Sequence, residues 1–387
     1  MSISAEGNVV SAQDIRFLQQ ASIEPQPPPA STVGPVAWLR ENLFSSPFNI
    51  VMTILIVLFL LWLVPDVLRF LLFDAVWTGI DRTACLYTPD RQGVGACWPF
   101  VYERFNYFIY GSYPIDDRWR VNVFFLMLAI GVTWMLWLNA PKRNIGALYF
   151  FIILPIVSFI LLNGWGASRV DTALWGGALV TIVVATVGIV AALPIGICLA
   201  LGRRSRMPTV RTLSIIFIEF VRGVPLITVL FMASVMLPLF VPDAYSPNKL
   251  VRALVGVGLF AAAYMAEVVR AGLAAIPKGQ FEGAMAVGLG YSQMMRLIIL
   301  PQALKITIPN IVNTFIGLFK DTTLVAIVGL FDLLGAIEAS RVDPKWAAPT
   351  TATTGYAVAA IFYFIFCYGM SRYARATEAR LAKAERR

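Results

Sequence analysis

Four charged side chains lie within apolar runs of this sequence, in two pairs with the same spacing. Glu219 and Arg222 are three residues apart, and so are Glu267 and Arg270, so the members of each pair share one face of a helix. One interpretation is that each pair neutralises itself, which lowers the cost of placing charge in an apolar environment. The other is that these side chains line or gate a polar route. The sequence leaves both interpretations open.

A third charged pair, Lys320 and Asp321, is adjacent in sequence, and adjacent residues of a helix point to different faces. We therefore expect both side chains to find partners on other helices, in a cavity or at a gate. Close to Arg222, Gly223 and Pro225 would interrupt a helix and free backbone groups. In lipid such groups are tolerated only against protein or water, so the break is either a packing kink or faces inward.

A polar stretch between two long apolar runs holds a second set of informative residues. Pro277 can start a short helix, because its missing N–H would be unpaired there anyway, and Gly288 stands where that helix needs a left-handed cap. Ser292 can cap a second helix that runs to Pro301. The stretch predicts a helix, a two-glycine elbow and another helix, forming a rigid knob on a membrane surface. Its candidate docking residues are Glu282, Ala284, Gly288, Leu289, Gly290 and Pro301.

These residues follow the pattern Glu-x-Ala-x3-Gly-x9-Ile-x-Leu-Pro, which resembles the coupling loop of ABC importer permeases. Gly283 departs from that pattern, because Ala is usual at its position. The alternative is an ordinary cytoplasmic helical hairpin in an unrelated transporter. Other segments resemble the branch of the family that carries polar amino acids (histidine, glutamate, glutamine, arginine, opine). These segments are 219–225, 264–270, 276–280 and 320–324.

The resemblance implies a transporter subunit that is not itself an enzyme. In that family the loop inserts into a groove of a separate ATPase subunit, and a homologous permease completes the translocation path. A periplasmic amino-acid-binding protein delivers the substrate, while ATP and Mg are held by the ATPase dimer, so we expect this chain to bind no cofactor. A self-sufficient secondary transporter is the alternative, but it would show two related halves with paired broken helices. A channel would need no surface knob.

The composition sets the class of protein. Of 387 residues, 58% are hydrophobic and 14% are charged, which is more apolar surface than a soluble core can hide. The net charge of +9 comes with basic residues that cluster beside apolar runs, so we assign it to membrane orientation and not to nucleic acid. The chain has no histidine and no Gly-x4-Gly-Lys-Ser/Thr string. We therefore predict no metal site, and ATP must be hydrolysed by a partner.

The sequence predicts an all-α integral membrane protein with about eight spans, each long enough for hydrocarbon about 30 Å thick. A type I importer permease core of five spans follows about three additional N-terminal spans, as the resemblance implies. Pro225 and Pro309 interrupt apolar runs and are candidates for broken helices. The predicted spans are 48–73, 121–138, 145–162, 176–201, 212–240, 250–275, 306–330 and 356–373.

Basic residues gather on one side of these spans, which the positive-inside rule makes the cytoplasm of a bacterium. Both termini are then cytoplasmic, and lipid of the inner membrane surrounds the spans. The additional spans and their loop resemble the larger, M-type permeases of general L-amino-acid importers, which favours a heterodimer. The predicted regions are a flexible cytoplasmic tail (1–46), the additional spans with a periplasmic loop at about 74–120 (47–168), the permease domain (169–375) and a basic cytoplasmic tail (376–387).

The four cysteines divide into two groups. Cys198 and Cys367 lie inside apolar runs, where a free thiol packs as a small hydrophobic side chain. Cys85 and Cys97 fall in one polar loop that the orientation places outside the cytoplasm, where a disulfide can persist. The sequence makes this pair a disulfide candidate and does not decide whether the bond forms.

Overall fold

The structure is a computed structural model, and it describes residues 34–87, 93–137, 140–165, 168–242 and 245–385. Within these ranges the chain is helical, and β-structure is limited to isolated bridges such as that between Val76 and Cys97. The predicted all-α fold class is confirmed. Residues 1–33 of the predicted N-terminal tail and residues 386–387 of the basic tail lie outside the described residues.

Long helices dominate this part of the chain, and short π-helical or 3-10 turns join several of them. The α-helices of the described residues are α1 (Pro35–Asn42), α2 (Pro47–Leu68), α3 (Trp98–Tyr110), α4 (Arg118–Leu136), α5 (Arg143–Leu148), α6 (Leu154–Asn163), α7 (Gly177–Arg203), α8 (Pro208–Gly223), α9 (Leu226–Phe231), α10 (Leu237–Phe240), α11 (Lys249–Ala275), α12 (Lys278–Ala286), α13 (Tyr291–Met294), α14 (Leu300–Asp321), α15 (Leu333–Arg341) and α16 (Thr351–Glu385).

The described residues include seven helical runs long and apolar enough to cross a membrane. An eighth candidate is a bent pair, in which α8 and the run Leu226–Phe240 meet at an angle of 105°. The prediction of about eight spans is therefore confirmed by length and composition. The seven runs are Pro47–Phe73, Ile115–Leu136, Asn144–Asn163, Ala178–Arg203, Lys249–Ala275, Tyr291–Val328 and Thr351–Leu381.

Of the two prolines expected to break helices, one does. α8 ends at Gly223, and Val224 takes an extended backbone (ψ 136°), the conformation favoured before a proline such as Pro225. Pro309 instead lies inside α14, and no break accompanies it. The prediction of a broken helix there is wrong, because a spanning helix tolerates proline where neighbouring groups satisfy the freed carbonyl.

By its contacts the chain divides into two units, residues 1–68 and residues 69–387. The described part of the first unit consists of α1 and α2. Thr53 Oγ1 donates a hydrogen bond to the Leu43 carbonyl at 3.0 Å, which ties the start of α2 to the end of α1. The second unit contains all the candidate site residues discussed below.

The second unit is built around α7, α11 and α14, and glycines let these helices approach closely. A Cβ at Gly196 of α7 would lie 2.8 Å from the side chain of Met265 on α11. A Cβ at Gly272 of α11 would lie 2.7 Å from the backbone oxygen of Ala303 on α14. Small residues at such crossings are the usual way in which spanning helices gain packing contacts.

Residues 74–87 and 93–117, together named the cap here, fold onto the segment between α14 and α16. The backbone N–H of Arg82 donates to the Lys345 carbonyl at 2.8 Å. The N–H of Cys97 donates to Thr354 Oγ1 at 2.9 Å. Because both bonds satisfy backbone groups of the cap with distant parts of the chain, they fix the position of the cap on the rest of the second unit.

Apolar packing and ion pairs add to these two bonds. The rings of Phe100 and Trp346 pack with centroids 6.4 Å apart in a buried cluster that the cap shares with α15 and α16. Lys345 Nζ lies 2.6 Å from a carboxylate oxygen of Glu103, and Arg104 pairs with Asp343. The cap is thus an ordered part of the second unit, as its many aromatic residues predict.

Candidate coupling site and charged network

The stretch predicted to form a knob follows α11 directly, and we name residues 278–294 the knob. α12 begins after Pro277 and ends at Ala286. Gly288 has a φ of 77°, in the left-handed region that a side chain disfavours. Its N–H donates to the Met285 carbonyl at 2.9 Å. The structure therefore contains the first predicted helix and its left-handed turn.

The predicted cap of the second helix is wrong. Gly290, and not Ser292, precedes α13, and the Gly290 N–H donates to Oε1 of Gln293 at 3.4 Å. Glycine is an acceptable N-cap, so the serine is not required there. The φ of Gly290 is −66°, which any residue adopts. Only Gly288 of the predicted two-glycine elbow uses the conformational freedom of glycine.

The prediction that the second helix ends at Pro301 is also wrong. A π-helical turn, Met295–Ile299, joins α13 to α14, and Pro301 lies in the first turn of α14. The wider π-turn accommodates the place where the proline lacks an N–H. One continuous helical run, Tyr291–Val328, therefore leads from the knob through a candidate span.

The knob leaves apolar side chains exposed on its surface. Met285 is 58% exposed, Val287 is 73% exposed and Tyr291 is 59% exposed. Ala284 is buried at 3% exposure, so it anchors α12 beneath this surface. Glu282 is exposed and forms no ion pair with any described residue, which leaves its carboxylate available to a partner. An exposed apolar surface beside an unpaired charge is typical of a docking site.

Two glycines of the knob occupy equally open positions but differ in backbone conformation. A Cβ built on Gly283 or on Gly288 has no heavy atom within 4 Å. Gly283 is an ordinary residue within α12, so its departure from the alanine of the family pattern loses no packing. Gly288 alone has a positive φ. The pair provides a matched comparison, because the same substitution differs only in backbone strain.

Two contacts hold the knob to the spanning helices. Gln302 of α14 donates through Nε2 to Oε1 of Gln280 on α12 at 3.1 Å. Arg204, just beyond α7, places its guanidinium carbon 5.6 Å from the centroid of the Phe281 ring. Arg204 also donates through Nη1 to the Leu273 carbonyl on α11 at 3.1 Å. The contacts connect α12 to the ends of α7, α11 and α14.

Charged residues predicted as separate pairs form one network. Glu267 Oε1 lies 2.7 Å from Arg203 Nη1, and its Oε2 lies 2.9 Å from Arg270 Nε and 3.6 Å from Arg222 Nη1. Glu219 pairs with the same Nη1 of Arg203 at 2.8 Å. We name Arg203, Glu219, Arg222, Glu267 and Arg270 the charged network, and its centre is Glu267, whose side chain is 16% exposed.

Of the two ion pairs predicted along single helices, the structure contains one. Glu267 and Arg270 do pair along one helix face, as the spacing indicates. Glu219 and Arg222 share a helix but not a bond: Glu219 turns to α7 and Arg222 turns to α11. Arg222 also lies with its guanidinium carbon 5.7 Å from the Tyr264 ring centroid. The packing of α7, α8 and α11 therefore determines the partners of Glu219 and Arg222, and not their spacing along α8.

The network lies on the same side of the spans as the knob. Arg203 is the last residue of α7, and Arg222 is next to the bend that ends α8. Glu267 and Arg270 precede α12 by about two to three turns of α11. The network therefore joins α7, α8 and α11 between the bend at Pro225 and the base of the knob, rather than at the middle of the spans.

Lys320 and Asp321 stand at the opposite end of α14 from the knob. Lys320 is exposed and Asp321 is partly buried. Neither side chain forms an ion pair or hydrogen bond with another residue that the structure describes, so the expected partners on other helices of this chain are not found.

Cys85 and Cys97 form a disulfide in the structure, with Cα atoms 5.8 Å apart. Both cysteines are fully buried in the cluster that joins the cap to α15 and α16. Cys198 and Cys367 are free. Among the described residues no group of histidine, cysteine, aspartate and glutamate side chains has a metal-binding arrangement.

Comparison with known proteins identifies the family. Residues 192–383 match the family described as binding-protein-dependent transport system inner membrane component. An inner membrane amino-acid ABC transporter permease of Escherichia coli K12, YhdY, is 49% identical over 359 residues, which cover 92% of this chain and 95% of the relative. The chain belongs to the amino-acid ABC transporter permeases.

Two further proteins are similar to this permease. The Rhodobacter capsulatus glutamate/glutamine/aspartate/asparagine transport system permease protein BztC is 39% identical over 438 residues, covering 96% of this permease and all of the relative. A solved structure described as an amino acid ABC transporter with histidines has 25% sequence identity and a TM-score of 0.46. Its match covers 53% of this permease and 92% of the solved chain. The resemblance to the polar amino-acid branch is confirmed.

Sequence reasoning missed three residues of the permease that the structure brings into the site. From sequence, Arg203 is one of several basic residues that follow an apolar run, whereas in the structure it joins both network carboxylates. Tyr264 lies within a segment that resembles the family and Gln302 directly follows another, but no spacing rule relates them to Arg222 or Gln280. Their signals are long-range in sequence, and only the packing of α11 and α14 reveals them.

Proposed function

We propose that this permease is the membrane-spanning subunit of an ATP-driven importer of L-amino acids, and that its knob docks onto a separate ATPase subunit. The observation that carries the proposal is the geometry of the knob. α12 follows one spanning helix, α13 continues into another, and the apolar surface between them is exposed. A rigid body attached in this way passes movement of a partner directly to two spans.

The proposed assembly contains this permease, a homologous permease, two ATPase subunits and a periplasmic amino-acid-binding protein. ATP and Mg are bound by the ATPase pair. The knob side is the cytoplasmic face of a bacterial inner membrane and both termini are on it, because basic residues are concentrated there. These basic residues are Arg203, Arg204, Arg206, Arg211, Lys278, Arg296 and Arg372.

Coupling then follows from the contacts at the base of the knob. Closure of the ATPase pair on ATP would move α12 together with the end of α11. Because Glu267 on α11 holds Arg203 of α7 and Arg222 at the bend of α8, that movement would reach the bend at Pro225. The charged network is accordingly proposed as a gate on the translocation path, with Lys320 and Asp321 as candidate path residues nearer its other end.

The substrate class is proposed from the relatives. BztC is named as a glutamate, glutamine, aspartate and asparagine permease, and both full-length relatives include the region before the five-span core. An L-amino acid carries both charges, which suits a path with charges of both signs. The additional N-terminal region favours a heterodimer with a smaller permease.

A self-sufficient transporter is the alternative, and the energy source separates the two. We expect the purified permease neither to bind nor to hydrolyse ATP, because it lacks a phosphate-binding loop. ATP should be hydrolysed only after ATPase subunits are added, and by those subunits. Amino-acid uptake driven by an ion gradient in proteoliposomes that contain the permease alone would contradict the proposal.

The decisive variants change the knob. Gly288→Val forces a β-branched side chain into a left-handed backbone, at a cost of roughly 1 kcal/mol or more. Glu282→Lys reverses an exposed charge that has no ion-pair partner among the residues that the structure describes. Both variants should be present in the membrane at near-normal level, with transport lost and ATPase stimulation by the loaded binding protein lost or uncoupled.

Gly283→Val is the matched control, because the same β-branched side chain enters equally open space on an ordinary helix. We expect its transport to equal that of the wild type. Transport and ATPase activity are measured in the same proteoliposomes. Unchanged, substrate-coupled transport in Gly288→Val and Glu282→Lys would show that the knob is not the coupling element.

A further inference from the structure

A cleft of about 320 Å³ lies beside the charged network, between the end of α7, the start of α8 and the end of α11. Its polar walls are all arginine side chains, and Ile215 and Ala274 complete the lining. No acidic residue lines the cleft. The arginines, named the arginine cleft here, are Arg203, Arg204, Arg211 and Arg270.

The charges around this cleft do not balance. Glu219 and Glu267 are the carboxylates that contact its arginines, and Arg222 adds another positive charge to Glu267. Five arginines therefore meet two glutamates among the described residues. The excess of positive charge favours binding of an anion from outside the described residues, because like charges held close together repel one another.

Donor groups remain available for such an anion. Arg203 makes both of its ion pairs through Nη1, and Arg270 makes its pair through Nε. Arg204 uses Nη1 for the Leu273 carbonyl. The side chain of Arg211 forms no hydrogen bond or ion pair with a described residue. Guanidinium groups with free N–H bonds on several sides bind phosphate oxygens in fork-like geometry.

The position of the cleft indicates where the anion comes from. α8 carries exposed apolar side chains at Leu213, Ile216 and Phe220, on a face different from that of Arg211. The helix thus has an apolar surface suited to lipid chains and a basic surface at the end of α7. Basic pockets between spanning helices on the cytoplasmic side are typical sites for anionic lipid headgroups.

We propose that the arginine cleft binds the phosphate group of an anionic phospholipid of the inner leaflet. The bound headgroup would lie beside Arg204, which stacks on Phe281 of the knob. The lipid would therefore stabilise the contact between the knob and the ends of α7 and α11. This effect on coupling rests on the proposed function, whereas binding of the phosphate does not.

The test uses the full-length permease purified in detergent and native mass spectrometry. It is titrated with phosphatidylglycerol or with phosphatidylcholine, and a third arm adds inorganic phosphate as a competitor. The variant is Arg211→Gln, since Arg211 has no partner to lose within the chain. Arg211→Lys keeps the positive charge but loses the two parallel N–H donors of the guanidinium. Arg206→Gln removes a neighbouring exposed charge that does not line the cleft.

We expect the wild type and Arg206→Gln to bind phosphatidylglycerol in preference to phosphatidylcholine. Arg211→Gln should bind phosphatidylglycerol about tenfold more weakly, and Arg211→Lys should lie between, because only a guanidinium binds two phosphate oxygens at once. Displacement of the lipid by millimolar phosphate would support a phosphate site with a soluble source.

Equal binding of the two lipids, or equal losses in Arg211→Gln and Arg206→Gln, would overturn the proposal. So would release of the lipid when the ATPase subunits are added, because the cleft would then belong to a protein contact. Stimulation of ATPase activity by phosphatidylglycerol is measured separately in proteoliposomes. Its absence together with intact lipid binding would contradict the coupling effect and leave the site itself supported.

Discussion

The cap and the knob lie at two ends of the same helices and are stabilised in opposite ways. The cap is held by a disulfide, a shared buried cluster and hydrogen bonds to residues more than two hundred positions away. The knob is held by the Gln280–Gln302 hydrogen bond, the stacking of Arg204 on Phe281 and the burial of Ala284 and Met294, and it has no disulfide among the described residues. Its outer apolar surface is exposed. The buried apolar residues of the cap are covered by other parts of the same chain, whereas the outer apolar surface of the knob is uncovered.

The contrast between the cap and the knob indicates that the two regions have different mechanical roles. A region closed by covalent and buried contacts resists relative movement, because each part of it is over-determined. A region with an exposed apolar surface and few internal contacts gains stability when a partner covers it. We therefore interpret the cap as a rigid platform and the knob as the surface that receives force.

The largest expected effect comes from the centre of the charged network. Glu267→Gln removes the carboxylate that contacts three arginines, and it leaves their partly buried positive charges together without a counter-charge at the centre. Breaking such a network is expected to destabilise the protein by about 3 kcal/mol. The measurement is the unfolding midpoint of the purified permease in detergent.

Glu219→Gln is the control for that variant. Its side chain is 53% exposed and has one partner, so the expected loss is below about 1 kcal/mol. A double-mutant cycle should report coupling between Arg203 and Glu219 and none between Glu219 and Arg222. Equal destabilisation by Glu267→Gln and Glu219→Gln would mean that the network is no more than a set of surface pairs.

The second prediction tests the rigidity of the cap. Replacing both Cys85 and Cys97 by serine opens a short loop and should cost up to about 3 kcal/mol. Cys198→Ser is the matched control, since that thiol is free and exposed. Protease cleavage within 74–117 should increase in the double variant only. If cleavage and the unfolding midpoint do not change, the buried cluster alone fixes the cap.

The third prediction concerns a buried carboxyl group at the start of α15. Burial raises the pKa of Asp332 from 3.8 to about 6, although it accepts hydrogen bonds from the N–H groups of Leu334 and Gly335 and from Tyr363. Because the pKa of the folded state lies above that of the unfolded state, the folded state binds the proton more tightly. The contribution of Asp332 to stability therefore falls as pH rises from about 4 to about 6.

Between pH 7 and pH 5 this group alone should add about 1 kcal/mol of stability. Asp332→Asn keeps an N-cap side chain and has no proton to gain, so it should lack this increment. The difference between the two proteins is read from unfolding midpoints at several pH values. A wild type and variant with parallel pH profiles would show that Asp332 titrates normally.

Several features were predictable because they depend on neighbouring residues. The spans follow from apolar runs of bilayer length, the break at Pro225 follows from proline geometry, and the turn at Gly288 follows from the need for a positive φ. The wrong predictions come from local rules in places where another nearby residue or turn fulfils the same structural role. Gly290 replaces Ser292 as the cap, and the π-turn before α14 carries the helix past Pro301.

The remaining features depend on residues that are distant in sequence. Arg203 joins Glu219 and Glu267 across 16 and 64 positions, and no spacing rule selects it from the other basic residues after α7. The position of the cap on α15 and α16 likewise depends on contacts such as that of Phe100 with Trp346. Such contacts follow from the packing of whole helices, which the periodicity of single segments does not specify.

The most direct test of the contrast between cap and knob is site-specific photo-crosslinking in cells that express the complete transporter. A photoreactive amino acid replaces Val287 of the knob, which is 73% exposed, or Ile80 of the cap, which is 84% exposed. The account predicts a cross-link to the ATPase subunit from position 287 and none from position 80. A cross-link to the ATPase from position 80, or none from position 287 in an active transporter, would contradict it.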